Sequence, residues 1–265
     1  MHDLVIRNGA VIDGTGTPRR RADVGVTDGV ITEVGPDVGA ARRDIDADGL
    51  LVLPGWVDIH THYDGQATWD PTMSPSSWHG VTTTIFGNCG VGFAPVRAGQ
   101  ENFLINLMEG VEDIPEIVLA EGVDFRWESF GEYLDVLDET PRVMDIGAQV
   151  AHAALRFYVM GDRGTDHSAH PTDAEIVRMG ELLEEGLAAG AFGFTTSRTP
   201  KPRAADGRPT PRLTAEHPVN RFGLCAIANR RARGVSIHPI HMFRPHSGIF
   251  QSTNHRQIGS RSIWM

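Results

Sequence analysis

The sequence predicts an α/β protein in which a small β-sandwich portion precedes strands that alternate with helices. Residues 1–50 contain short apolar segments separated by Gly turns, which is typical of antiparallel strands. After residue 50, continuous apolar segments alternate with segments of helical periodicity, which is typical of parallel βα units. The 265 residues include 40% hydrophobic and 22% charged residues, as in an ordinary globular protein.

Two hairpins are expected within the β-sandwich portion, residues 1–50. The paired apolar segments are residues 4–6 with 10–12, and residues 22–26 with 30–34. The first pair flanks Asn8-Gly9 and the second flanks Thr27-Asp28-Gly29, and such turns between apolar segments predict hairpins. The portion is short for an independent sandwich, so we expect it to recruit strands from elsewhere in the chain.

Four apolar segments after residue 50 are predicted to be parallel strands. They are residues 50–59, 81–86, 143–150 and 191–196. Helices are predicted between them, at residues 102–109, 130–137 and 173–189. The last of these has the clearest limits, because Pro171-Thr172 is a start signal and Gly190 a stop signal. Four βα units make half of a (β/α)8 barrel, so residues 51–218 predict a partial barrel that is incomplete.

His60 and His62 follow the first predicted barrel strand directly. Side chains at positions i and i+2 of a strand point to the same side, so both imidazoles would project together at its carboxyl end. Active sites of such barrels lie at that end, and imidazole is a good ligand for zinc. Asp58 and Asp64 could orient the two rings. The alternative is a pair of strand-end histidines that bind nothing; the sequence favours metal ligands.

Cys89 lies just after the second predicted barrel strand, between Asn88 and Gly90. A thiolate at this position would face the same barrel mouth and is a good zinc ligand. The alternative is a small buried apolar residue, which is the role of most free cysteines. The flanking glycines favour an exposed loop, so Cys89 is predicted to be a third metal ligand.

A family resemblance supports this interpretation. Residues 51–66, which include His60-Thr61-His62, closely resemble the first-strand motif of the amidohydrolase superfamily. Residues 69–71, 78–83 and 87–95 look like those of the N-acyl-D-amino-acid deacylase (D-aminoacylase) branch. The resemblance continues through residues 108–115, 155–156 and 193–198, and it covers about residues 1–216.

The resemblance implies a zinc-dependent (β/α)8 barrel that hydrolyses non-peptide C–N bonds in small N-acyl amino acids. It implies that Cys89 binds the tighter zinc ion and that His60 and His62 serve a weaker second position. The metal would polarise the amide carbonyl and activate a bound water. The catalytic residue itself is unknown, since the general-base aspartate of the family is expected after the eighth strand, in the missing C-terminal half.

Three further residues are candidates for substrate binding. Arg156 and Arg198 could each hold a substrate carboxylate through bidentate contacts, and either could equally be a structural arginine. His152, at the end of the third predicted barrel strand, could line the pocket or be an ordinary buried histidine. Members of the branch often carry Gly-Leu-Phe-Tyr where this chain has residues 197–200, and this departure leaves the D-amino-acid specificity open.

The charge changes abruptly near the end of the chain. The net charge is −10, yet residues 212–265 contain eight arginines and a single acid, Glu216. Periodicity and family motifs stop at the same place, so residues 219–265 are interpreted as an aberrant basic tail, disordered or read out of frame. A genuine basic extension is the alternative.

Two other functions stay open: an inactive fragment that at most binds metal, and a cyclic amidohydrolase of hydantoinase or dihydroorotase type, which Cys89 disfavours.

Composition also bounds the partners and the location. No apolar segment reaches membrane-spanning length, and the first residues lack the features of a signal peptide. With two cysteines, a disulfide framework is not expected and a reducing cytoplasm is. The expected partner is therefore a small-molecule substrate, with no nucleic acid and no membrane, and the oligomeric state is not predicted.

Overall fold

The computed structural model describes residues 1–112, 114–166, 168–197, 207 and 262–264. The strands, in chain order, are β1 (His2–Val11), β2 (Arg20–Thr27), β3 (Val30–Gly35), β4 (Ala41–Asp46), β5 (Leu51–Leu53), β6 (Trp56–Asp58), β7 (Val81–Phe86), β8 (Asp145–Ala148), β9 (Val150–Ala151), β10 (Phe194–Thr195) and β11 (Ser262–Trp264). The helices are α1 (Glu101–Glu112), α2 (Glu116–Gly122), α3 (Phe130–Glu139), α4 (His152–Met160) and α5 (Asp173–Ala189).

Strands β1 to β5 and β11 form a six-stranded sheet in the order β11-β5-β1-β2-β3, with β4 also paired to β1. Strand β1 runs antiparallel to β2 and parallel to β4 and β5. A small apolar core lies against this sheet and includes Leu4, Ile6, Val24 and Val52. The sheet recruits β5 and β11 from beyond residue 50, as expected for so short a β portion, and a second sandwiched layer stays a prediction.

The hairpin predicted at Asn8-Gly9 is wrong, because β1 continues through both residues. Its pairing with β2 shifts register between Ile6 and Gly9, which marks a β-bulge. Asn8 has φ of 63° and its backbone N–H donates to Asp23 Oδ1 at 2.7 Å. A Cβ on Gly9 would overlap the side chain of Val52. Asparagine and glycine therefore serve the bulge here rather than a turn.

The second predicted hairpin is confirmed. Strands β2 and β3 pair antiparallel, with Thr27 opposite Val30. The two residues between them, Asp28 and Gly29, have φ of 51° and 74°. The tight two-residue turn that is common in β-hairpins requires positive φ at both central residues, and Asp-Gly adopts these angles readily.

The apolar segment 50–59 is two strands rather than the one predicted. Pro54 and Gly55 interrupt it, since proline lacks an N–H for the ladder and a Cβ on Gly55 would overlap Thr82. Strand β5 joins the first sheet, while β6 pairs with β7 in the second part of the fold. Trp56 and Val57 are exposed rather than buried on both faces, because β6 is the edge of its described sheet.

The remaining strands are parallel, as predicted for βα units. Strands β6, β7 and β8 form one parallel sheet, and β9 and β10 form a parallel pair. Gln149 separates β8 from β9, and its backbone N–H donates to Phe86 O at 3.0 Å. These strands and helices α1 to α5 surround the larger apolar core, whose fully buried members include Phe86, Phe93 and Leu155. The carboxyl ends of the parallel strands meet at one edge, where His60, His62 and Cys89 lie.

The helices agree with the sequence in part. Helices α1 and α3 contain the predicted segments, and α5 has the predicted limits, Asp173 and Ala189. Helices α2 and α4 were not expected. In α4, every residue from His152 to Phe157 is buried, so this part of the helix has no solvent-exposed polar face that would mark it in the sequence.

Within the described residues, no helix combines the length and apolarity needed to cross a bilayer. Arg198 and all but three residues of the segment 219–265 lie outside the described residues. The three described residues of that segment form β11, which pairs parallel to β5 with Ile263 opposite Val52. The interpretation of residues 219–265 as an aberrant tail otherwise stays a prediction.

Candidate metal centre

His60 and His62 lie in the loop that begins where β6 ends. Their ring centroids are 5.7 Å apart and the ring planes are inclined by 65°. The backbone N–H of His60 donates to Asp58 Oδ1 at 3.2 Å, so Asp58 supports this loop through the main chain. His60 is exposed and His62 is partly buried. Both imidazoles therefore lie just beyond the end of β6, in a loop rather than on the strand itself.

Cys89 lies in a tight 3-10 turn that follows β7. Its φ of 54° is in the left-handed region, and Gly87 and Gly90 on either side have φ of 78° and 76°. Thr195, in β10, stabilises this turn through two hydrogen bonds. Its hydroxyl donates to Gly87 O and accepts from the Gly90 N–H at 3.2 Å. The turn is therefore fixed by a neighbouring strand rather than left as an open loop.

The structure brings the three predicted ligands together. His60 Nε2 lies 3.2 Å from Cys89 Sγ. One ligand atom each from His60, His62 and Cys89 can be chosen such that all lie within 4.8 Å of one another. Two ligand atoms of one tetrahedral zinc ion are separated by about 3.3–3.8 Å, so the closest pair is already near that spacing.

The donor set suits zinc. Two imidazole nitrogens and one thiol sulfur are the ligand types that borderline-soft divalent metals prefer. Burial, and secondarily the nearby His60, lowers the pKa of His62 from 6.5 to about 4. His62 is therefore neutral at pH 7, and the neutral imidazole is the form that can bind a metal ion.

Sequence reasoning missed the polar residues that connect the two ligand loops. The Thr61 hydroxyl lies 2.8 Å from Thr84 Oγ1 and 3.0 Å from Ile85 O. The side-chain amide of Asn88 donates to Thr61 O at 3.1 Å and to Ile85 O at 2.9 Å. Thr61, Thr84 and Asn88 are all buried. The signal available in the sequence was a polar residue next to each ligand: Thr61 lies between the two histidines, and Asn88 precedes Cys89. Polar side chains that become buried need hydrogen-bond partners.

Arg156 is buried beneath the loop that follows α4. Its Nε donates to Gly164 O at 3.1 Å, and its Nη2 donates to Asp166 O at 2.9 Å and to Ala169 O. Burial lowers the pKa of Arg156 below its ordinary value, with the nearby Asp166 opposing that effect. These three hydrogen bonds to backbone carbonyls are the contacts expected if Arg156 is a structural arginine, the alternative that the sequence left open.

His152 begins α4, directly after β9, and is buried. Its Nδ1 lies 3.1 Å from Thr196 Oγ1, and its ring centroid is 6.0 Å from that of Phe194. His152 thus lies at the carboxyl ends of β9 and β10, on the same side of the fold as the cysteine turn, and its place in a pocket stays a prediction. Arg198, the third candidate for substrate binding, is outside the described residues.

Comparison with known proteins shows which family the chain belongs to. Residues 43–221, more than half of the chain, match the amidohydrolase family. The chain belongs to that family. The matched range contains all three candidate ligands, His60, His62 and Cys89. It also contains β5 to β10 and the described helices α1 to α5.

The family members that resemble the chain in sequence include two deacylases of Alcaligenes xylosoxydans xylosoxydans. Its D-aminoacylase is 37% identical over 203 residues, which cover 76% of this chain and 39% of the enzyme. Its N-acyl-D-aspartate deacylase is 37% identical over 204 residues, covering 77% of this chain and 38% of the enzyme. The chain therefore spans about two fifths of the length of these relatives.

A solved structure also resembles this fold. It is the N-acyl-D-glutamate deacylase from Bordetella bronchiseptica, in complex with zinc and a phosphonate inhibitor that mimics the tetrahedral intermediate. The TM-score is 0.61 at 37% sequence identity, and the match covers 74% of this chain and 38% of the deacylase. The mixed α/β fold is thus that of part of an amidohydrolase, as the sequence predicts.

Proposed function

We propose that this chain provides the metal-binding part of a hydrolase that deacylates N-acyl-D-amino acids. The observation that carries the proposal is the convergence of His60, His62 and Cys89 at the carboxyl ends of parallel strands. A cysteine among the ligands matches the deacylase branch rather than the cyclic amidohydrolases. The 37% identity to a D-aminoacylase and to an N-acyl-D-aspartate deacylase supports the same substrate class.

Zinc is the proposed metal, and His60, His62 and Cys89 would hold it. A bound zinc ion supplies Lewis-acid chemistry, since it polarises a carbonyl oxygen and lowers the pKa of water. The chain's own contribution is to present two imidazoles and one thiol from two fixed loops. Asp58 supports the histidine loop at the His60 N–H, and Thr195 supports the cysteine turn on both sides of Cys89.

The remainder of the proposal concerns the surroundings of this centre. We assign residues 51–218 to the first half of a (β/α)8 barrel and keep His152 as a candidate pocket residue, because it lies beside β10. Arg156 and Arg198 remain the candidate carboxylate ligands, although the three backbone contacts of Arg156 favour a structural role. A cytoplasmic location fits a cysteine that must stay reduced in order to bind metal.

The test measures metal content and hydrolysis on the same preparation of the chain. Zinc stoichiometry is determined after dialysis, and release of the amino acid is followed with N-acetyl-D- and N-acetyl-L-amino acids. We expect zinc to bind and Cys89→Ser to abolish tight binding. Absence of zinc from the wild-type chain under saturating conditions would overturn the proposed metal site.

Substrate panels separate the remaining alternatives. Turnover of hydantoin or dihydroorotate in preference to N-acyl-D-amino acids would show a cyclic amidohydrolase instead. Zinc binding without turnover of any of these substrates would show that the chain binds metal but lacks residues needed for hydrolysis. That second outcome would support the alternative of an inactive fragment that at most binds metal.

A further inference from the structure

The side-chain amide of Asn88 connects the two loops that carry the candidate ligands. Asn88 Nδ2 donates to Thr61 O at 3.1 Å, and Thr61 lies between His60 and His62. The same nitrogen donates to Ile85 O at 2.9 Å, near the end of β7. Asn88 also immediately precedes Cys89. One amide group therefore bonds to the middle of the histidine pair while its backbone leads into the cysteine.

Gln149 fixes the orientation of this amide. Gln149 Nε2 donates to Asn88 Oδ1 at 3.0 Å. Reversing the Asn88 amide would direct its oxygen at the carbonyl oxygens of Thr61 and Ile85 and its nitrogen at the donor of Gln149. Asn88 is only 7% exposed, so water is a poor substitute for these partners. All of these groups are satisfied in one orientation only.

The histidine loop depends on these contacts because it lies beyond the strand. Strand β6 ends at Asp58, so ladder hydrogen bonds do not position His60 and His62. In the described structure, Thr61 fixes this loop to β7 through its own N–H and hydroxyl, both of which donate to Ile85 O at 3.0 Å. Asn88 adds the bond that ties the same loop to the cysteine turn.

We propose that Asn88, oriented by Gln149, is a positioning residue that sets the separation between the His60/His62 loop and the Cys89 turn. The inference rests on the proposed metal site and deepens it, since Asn88 would act on the metal through the two loops that carry the ligands. A partner that holds ligands in place typically changes metal affinity by about 10–100-fold when it is removed. We expect Asn88→Ala to weaken metal binding by that factor.

The experiment uses the full chain and cobalt(II) as the probe ion. Wild type, Asn88→Ala, Gln149→Leu and the control Asn106→Ala are titrated, and both affinity and the thiolate-to-cobalt charge-transfer absorption are recorded. Asn106 is a suitable control because its amide donates to Asn102 O and Glu116 Oε1, within and beside α1. Circular dichroism is used to check that each variant is folded to the same extent as the wild type. Hydrogen exchange of the metal-free proteins is measured for residues 59–62 and 87–90.

The outcomes distinguish the inference from the proposed function. Affinity lowered about 10–100-fold with a weaker charge-transfer band in Asn88→Ala, a smaller loss in Gln149→Leu and no change in Asn106→Ala would support positioning. Wild-type affinity and absorption in a folded Asn88→Ala protein would overturn it. If the wild type binds no cobalt, the proposed metal site fails. In that case the hydrogen-exchange measurement tests the inference by itself. Faster exchange in Asn88→Ala that is confined to residues 59–62 and 87–90 supports the inference, and unchanged exchange overturns it.

Discussion

Cys89 occupies a backbone conformation that few residues adopt. Its φ of 54° is left-handed, which costs a residue with a Cβ about 1–2 kcal/mol. Gly87 and Gly90 adopt the same region on either side without that cost. Such strain persists only where surrounding contacts determine it, and here Thr195 and Gln149 hold the turn. The sulfur is thereby placed 3.2 Å from His60 Nε2.

A pair of glycine substitutions separates strain from crowding in this turn. A Cβ on Gly87 would overlap Gln149 O, whereas a Cβ on Gly99, with a similar φ of 81°, would meet nothing within 4 Å. We expect Gly99→Ala to lower the free energy of unfolding by about 1 kcal/mol and Gly87→Ala by about 2–4 kcal/mol. Urea denaturation measures both. Equal losses would show that the overlap at Gly87 is relieved by movement of the turn.

The two histidine substitutions His62→Gln and His79→Gln test the ligand assignment. His62 lies in the cluster, while His79 is exposed in the turn before β7 and serves as the matched control. We expect His62→Gln to weaken zinc binding by at least about 10-fold, because an amide is a poorer zinc donor than imidazole. His79→Gln should leave affinity unchanged in a calorimetric titration. An unaffected affinity in His62→Gln would remove this histidine from the proposed site.

At the scale of elements, α5 has local signals at both ends. The Thr172 hydroxyl accepts from the Glu175 N–H, and the Glu175 carboxylate accepts from the Thr172 N–H at 2.7 Å. This reciprocal capping box starts the helix. Gly190, with φ of 122°, ends it. The element could therefore be predicted from sequence with its limits, and its buried face packs into the larger core.

Helix α5 also provides a test of which face packs inward. Leu183 is fully buried, whereas Val177 on the same helix is 61% exposed. We expect Leu183→Ala to lower the free energy of unfolding by about 2–5 kcal/mol, since it removes buried methyl groups and leaves a cavity. Val177→Ala should change it by no more than about 0.5 kcal/mol. Thermal and urea unfolding would measure the difference, and similar values for both would contradict the observed orientation of α5.

The capping box makes part of the stability dependent on pH. The backbone hydrogen bond from Thr172 is the main reason that the pKa of Glu175 lies below its ordinary value of 4.5, and Arg163 at 2.8 Å contributes. A depressed folded pKa stabilises the protein above the unfolded pKa, and this contribution is lost as pH falls through the folded value. We expect Glu175→Gln to lower the free energy of unfolding by about 0.5–1 kcal/mol at pH 7.

That loss should shrink as the pH is lowered below about 4.5, because the wild-type carboxylate then becomes protonated as well. Unfolding by urea at a series of pH values measures it. Glu184→Gln, at an exposed position of the same helix, is the control and should follow the wild type. A difference between wild type and Glu175→Gln that does not vary with pH would contradict the role given to the charge.

At the scale of the whole molecule, the edge of the β6 sheet presents apolar side chains to solvent. Trp56, Val57 and Ile59 are 56%, 58% and 71% exposed. An exposed apolar edge is a site of unwanted association. We expect Val57→Lys to slow concentration-dependent loss of soluble protein, measured by light scattering and sedimentation. Ile117→Lys, at a residue of α2 that is 65% exposed, is the control, and an equal effect there would show that added charge alone is responsible.

Much of the fold was predictable because its signals are local. The Asp28-Gly29 hairpin, strand β7 and helix α5 each depend on turn residues, apolar continuity or caps within a few positions. The errors arose where distant residues decide. Asn8-Gly9 has the composition of a turn, yet Asp23 and Val52 make it a bulge. Helix α4 was not expected because neighbouring elements bury every residue from His152 to Phe157, so these residues do not alternate between a polar and an apolar face.

The sequence by itself determined the α/β class, the family resemblance and the three candidate ligands, since these follow from residue types at fixed positions after predicted strands. Only the tertiary structure decided that His60 Nε2 and Cys89 Sγ, 29 residues apart, lie within 3.2 Å. It also decided that the side chains of Asn88 and Gln149, 61 residues apart, form a hydrogen bond next to the cysteine turn. Contacts of this kind depend on which loops meet at the strand ends, and that is set by the packing of the whole sheet.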